Sequence, residues 1–152
     1  MTPEQKTNHL LGEISRTLNV EPALALNSED NCIFTIDEKF GFILFLDESI
    51  EQLLITLPLG LLPDGEAGRD LAVEMLAGNY AWGLTAGATL GLDDETGILS
   101  LCHNFDVSEG RGEGFEQLLS DMIGAADYWM DKIEEAGTDD VGPSLSETGI
   151  RV

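Results

Sequence analysis

Positive charge is what this sequence has least of. Seven lysines and arginines stand against 29 aspartates and glutamates, for a formal net charge of −22. The acids are spread along the whole chain rather than collected in a tail. Such a surface repels nucleic-acid phosphates and anionic lipid, and it favours solubility and neutral or basic partners. Two cysteines, Cys32 and Cys102, do not make a disulfide framework. Two histidines, with no Cys-x-x-Cys and no histidine pair at helical spacing, leave no metal-binding motif. The longest apolar stretch, 40–46, is far too short to cross a bilayer, and Met1 to His9 lacks the basic and apolar regions of a signal peptide. A reducing cytoplasm is the expected compartment.

What is present is enough for a core. The 152 residues are 43% hydrophobic, which suits one globular domain. Thr2-Pro3-Glu4-Gln5 reads as a helix start with a capping box, and Leu10, Leu11, Ile14 and Leu18 follow at helical spacing. A helix is expected over 3–18, with Pro22 marking the exit. Cys32, Phe34 and Ile36 alternate as in a strand, Asp37-Glu38-Lys39 reads as a turn, and 40–46 is apolar on both faces like a central strand. Asp47-Glu48-Ser49 turns again into a third strand with Leu53, Ile55 and Leu57 on one face.

The pattern breaks over 58–65. Asp64 is positioned to cap a second helix bearing Leu71, Met75 and Leu76, with Ala72, Ala77 and Gly78 keeping it slim and Gly78, Gly83 and Gly87 loosening its exit. Leu90 and Leu92 open a fourth strand, 93–97 turns it, and Leu99 and Leu101 continue in a fifth. After a glycine-rich joint at 110–114, a last helix carries Phe115, Leu118, Leu119, Met122, Ile123, Ala126, Trp129, Met130 and Ile133. From Ala136 the composition turns to Gly, Asp, Ser and Thr, which reads as a mobile tail over 136–152 whose Ile150 and Val152 can dock. The expected fold is α+β: three helices and a five-stranded antiparallel sheet in the order α-β-β-β-α-β-β-α, within one domain over 1–135.

Catalytic chemistry finds little support. Adjacent residues on a strand point to opposite faces, so Cys102 and His103 do not form a nucleophile–base pair. Asp93-Asp94-Glu95 lacks the ligand ladder of a calcium loop and fits a hairpin turn. Gly110-Arg111-Gly112-Glu113-Gly114 lacks the Lys-Ser or Lys-Thr of a phosphate loop, and Glu113 and Glu116 repel phosphate there. No cofactor is expected. What remains is apolar surface beyond the needs of a monomer, as for a dimer interface and a partner groove.

The run 71–79, ending in Asn79, followed by 87–93 and 96–101, resembles the signature of the CesT/Tir-type secretion chaperones. There an apolar helix ends near an Asn, and a Gly-rich stretch leads into a strand, a turn and a strand with alternating leucines. The resemblance extends over about residues 3 to 135. It implies a homodimer without catalytic activity that binds the non-globular N-terminal segment of a secreted effector, with release left to the secretion ATPase. The resemblance places the twofold interface on Leu71, Met75, Asn79, Trp82, Leu90 and Leu92. It places partner-binding surface on Leu10, Leu11, Ile14, Leu18, Phe34, Phe42 and Leu44. Trp82 departs from the small or polar residues of many relatives. The terminus Gly149-Ile150-Arg151-Val152 is similar to that of members acting as antiactivators, which implies an alternative role: a regulator that sequesters an antiactivator and couples secretion to transcription.

Overall fold

A computed structural model of the protein describes residues 1–147, with side chains as far as Thr138. The elements are α1 (Pro3–Leu18), β1 (Asn31–Ile36), β2 (Phe40–Asp47), β3 (Gln52–Leu61), α2 (Gly65–Asn79), a single 3-10 turn (Tyr80–Trp82), β4 (Thr89–Asp93), β5 (Ile98–Asp106) and α3 (Gly112–Glu147). The five strands form one antiparallel sheet in the order β1-β2-β3-β5-β4, so β1 and β4 are its margins. The architecture is the α+β arrangement expected from the alternation of periods along the chain.

Two compact units share the chain: 1–57 with 102–123, and 58–101 with 124 onward. Strands β3 and β5 and helix α3 each run through both.

In the first unit, α1 begins as its sequence dictates. Gln5 N donates to Thr2 Oγ1 at 3.1 Å, and Thr2 N donates to the Gln5 side chain at 2.9 Å, closing a capping box with Pro3 in the first turn. The segment after α1 is strapped back along it: Leu24 N donates to Ser15 Oγ at 2.7 Å and Leu26 N to Asn8 Oδ1 at 2.8 Å. The β1–β2 hairpin turns through Asp37 and Glu38, both at φ 55, the left-handed pair that matches the twist of its strands. The inward row comprises Cys32, Phe34, Phe42, Leu44, Leu46, Leu53 and Ile55. With it are buried Leu10, Leu11 and Ile14 of α1 and Phe115, Leu119 and Met122 of α3. Phe34 stacks on Phe42 at 5.4 Å, and Phe105 meets Phe115 at 5.2 Å.

The second unit holds the rest of α3, α2 and the β4–β5 hairpin. Its turn closes with Gly97 N donating to Asp93 O at 2.7 Å and Gly97 at φ 77, so the acidic run 93–95 is a hairpin corner. Trp129 is buried, and its indole N–H donates to Leu84 O at 2.9 Å.

Four local expectations change. Strand β3 does not stop at Pro58 but continues to Leu61. Its ladder with β2 ends at Thr56, so Pro58, which has no N–H, sits beyond that pairing. Asp64 occupies the N-cap position of α2, yet its side chain makes no capping hydrogen bond. The α2 exit contains a 3-10 turn with left-handed backbone at Ala81 and Trp82. Helix α3 is helical as far as Glu147, past the composition change at Ala136. Ile150 and Val152, expected to dock, lie outside the described residues.

Candidate protein-binding surfaces

Surface chemistry follows from strand parity and helix phase. Leu10, Leu11, Ile14, Phe34, Phe42 and Leu44, the residues expected on a partner surface, are all buried among one another in the first unit. Side chains this little exposed offer a partner only their edges, and the more accessible apolar surface lies on other residues. Leu18, at the end of α1, is exposed. It borders a shallow apolar groove of about 210 Å³ with Ile14, Ile36, Leu119 and Ile123. The strand residues of opposite parity, Ile33, Ile43, Phe45 and Leu54, are exposed as well.

In the second unit, Leu71, Met75 and Leu90 are buried, Asn79 is half-buried, and Trp82 and Leu92 are exposed. Val73, Leu76 and Tyr80, at helical spacing along α2 and its exit, add a ridge of large exposed side chains. Beside it Met75, Leu76, Asn79, Leu90, Leu92 and Leu99 line an apolar pocket of about 240 Å³.

Asn79 explains why a helix in this position ends on an amide. Leu90 N donates to Asn79 Oδ1 at 2.8 Å, and Asn79 Nδ2 donates to Leu90 O at 3.1 Å. One side chain thus pairs with both polar groups of a β4 residue, as a neighbouring strand would. Asn79→Ala is expected to cost about 1–3 kcal/mol by leaving those groups unpaired. Thermal melting checks the loss, and amide exchange should accelerate at Leu90 first. Unchanged exchange there would show that the pair contributes nothing.

Among the described residues no three His, Cys, Asp or Glu converge as metal ligands. Burial pushes the Cys32 and Cys102 thiols up, against weaker lowering by hydrogen bonds with the Ala25 backbone and the Thr56 side chain respectively, which is opposite to an activated nucleophile. His103 Nδ1 accepts from Asn104 N at 2.8 Å.

The profile of the Tir chaperone protein (CesT) family matches residues 9–130. The chain belongs to the CesT family. Solved structures of similar fold agree. One, the ExsC–ExsE complex, superposes with a TM-score of 0.72 at 24% identity, covering 88% of this chain and 97% of that one. The HopA1–SchA chaperone–effector complex gives 0.69 at 23% identity, covering 84% and 95%. The Yersinia pestis type III secretion chaperone SycH, in complex with a stable fragment of YscM2, gives 0.63 at 19% identity, covering 80% and 98%. At these identities the likeness is one of fold. No curated protein sequence matches the chain. For a CesT-family chain, the exposed ridge of α2 and the bare faces of the first unit are the features that call for partners.

Proposed function

We propose that this chain is a type III secretion chaperone. It works as a homodimer in the bacterial cytoplasm, without cofactor or catalysis, and holds the non-globular N-terminal segment of an effector in a secretion-competent state. One observation carries the reading. Ile33, Val73, Leu76 and Tyr80 are 70%, 66%, 71% and 83% exposed although each is anchored on a regular strand, helix or 3-10 turn. A chain of charge −22 is kept apart from nonspecific contacts by its acidity, so an ordered apolar surface on it is fit for chosen partners.

The α2 ridge with Leu92 and Trp82 supplies the twofold contact, and buried Leu71, Met75 and Leu90 hold that ridge in place. The Leu18 groove and the margin strand β1 supply guest surface, where an extended segment adds backbone hydrogen bonds and inserts apolar side chains. Similar folds described as a chaperone–effector complex and as a type III secretion chaperone with a bound fragment support this assignment. No described helix is long and apolar enough to cross a membrane.

Coexpression tests the reading. The N-terminal segment of an effector encoded beside this chain is expected to move from the insoluble to the soluble fraction and to co-elute with a dimer. A segment that stays insoluble, together with no effector recovered by affinity capture from the native cell, would sink it. Recovery of a cytoplasmic regulator instead selects the regulatory alternative.

A further inference from the structure

We infer that Asn27 limits strand addition at the β1 margin to two residues, Ile33 and Thr35, and thereby fixes the register of the guest segment. The inference rests on the chaperone reading and deepens it by naming where guest backbone pairs and where it must leave. Strand parity builds the window. Leu46 N donates to Asp30 O at 2.9 Å, and Lys39 N donates to Ile36 O at 3.2 Å across the hairpin turn, so the even residues here face β2. Asn31 faces the other way: its N donates to Asn27 Oδ1 at 3.0 Å, and its O accepts from Asn27 N at 2.8 Å. Facing alternates along an antiparallel ladder, so Ile33 and Thr35 share the orientation of Asn31. Among the described residues, no turn, loop or side-chain hydrogen bond reaches the backbone of either. Their N–H and C=O groups stand open along about 7 Å of margin. The Ile33 side chain beside them is 70% exposed.

Asn27 closes one end of this window. Its Oδ1 also accepts from Glu29 N at 2.9 Å, and its O accepts from Asp30 N at 3.1 Å. Leu26 N, one residue earlier, is tied to Asn8 Oδ1 of α1. The loop 27–31 is thus closed on itself and fastened to α1, and the place beside Asn31 that a guest residue would take is already filled. At the other end the chain turns away through Asp37 and Glu38. Asn79 treats both groups of Leu90 alike at the β4 margin.

Charge names the occupant. Glu29 and Asp30 precede the window, Asp37 and Glu38 follow it, and the Lys39 ammonium lies over the Phe40 ring at 5.2 Å. A second β1 laid on the margin, in either direction, sets acids against acids. A partner segment with β-branched residues in the window and lysine or arginine on both flanks avoids that repulsion. It carries no proline at the two paired positions, because each must donate an N–H.

The test uses the full chain, isotopically labelled, and a synthetic peptide of alternating valine and threonine flanked by lysines, at millimolar concentration. Amide shifts and slowed exchange are expected to peak at Ile33 and Thr35, with exchange at Asn31 and Glu29 unchanged. The same peptide with its amides N-methylated is expected to have no effect. Asn27→Ala frees the Asn31 N–H. Protection by the peptide should then extend to Asn31, and binding should tighten by about threefold to tenfold, the worth of one added hydrogen bond. Asn27→Asp keeps an acceptor oxygen and should retain the wild-type pattern, which separates the hydrogen bond from side-chain bulk. The wild-type titration decides by itself should the alanine variant melt early. Any of four results would overturn the register limit: wild-type shifts at Asn31 and Glu29 as large as at Ile33, no focus on β1, an alanine variant with unchanged pattern and affinity, or broadening at Ile33 and Thr35 on raising protein concentration without peptide. The titration needs no native guest, so its failure removes this limit alone, whereas failure of the coexpression test removes the chaperone reading.

Discussion

Leu76→Asp is expected to turn the proposed dimer into a monomer at micromolar concentration while the chain stays folded. Leu76 is among the most exposed large apolar side chains on α2, so in the single chain the substitution is a surface change within about 0.5 kcal/mol. In a twofold contact every residue is used twice. Two aspartates then lose water at an apolar interface, in a chain already rich in negative charge, at a cost of several kcal/mol each. Even about 4 kcal/mol in total weakens association by roughly a thousandfold. Sedimentation equilibrium reads the mass, and circular dichroism reads the fold. A variant that remains dimeric with wild-type affinity removes α2 from the interface.

The largest stability effect is expected at Trp129. It is 1% exposed, its indole donates to Leu84 O, and the Tyr128 ring meets it edge-on at 5.1 Å. Trp129→Ala is expected to cost about 3–5 kcal/mol, a large share of the roughly 5–15 kcal/mol that holds a domain of this size. Gly78 makes room for the ring. A Cβ at position 78 would lie 2.5 Å from the indole Cζ2. Alanine in a helix interior ordinarily gains about 1 kcal/mol over glycine, but overpacking costs about 1–3 kcal/mol, so Gly78→Ala is expected to destabilise. Denaturant melts of both variants decide the matter. A more stable Gly78→Ala would mean that the ring shifts freely, and the account of Gly78 would fail.

Most of the fold was legible because the signals were local. Alternating apolar residues marked the strands, 3-4 spacing marked the helices, and Thr2, Pro3 and Gln5 spelled out the α1 cap. Facing was harder to read. The run 40–46 is apolar at both parities, so nothing local says that Phe42 and Leu44 point inward while Ile43 and Phe45 stay bare. Pairing decides it, and pairing joins residues far apart in the chain. Helix α2 poses the same ambiguity, since 71, 72, 73, 75 and 76 are all apolar and choose between two faces. The strand parity of Ile33 against Phe34 was available as a clue, because the buried member of each pair alternates with a neighbour that has nowhere to pack.

Leu90 gives both of its backbone polar groups to Asn79, and β4 is a margin of the sheet. A stray strand that docks along this border runs into a carboxamide already seated where its own backbone must go. On the proposed reading that rim is stoppered at Leu90 by the chain's own helix, and guest backbone is expected to pair along β1 instead.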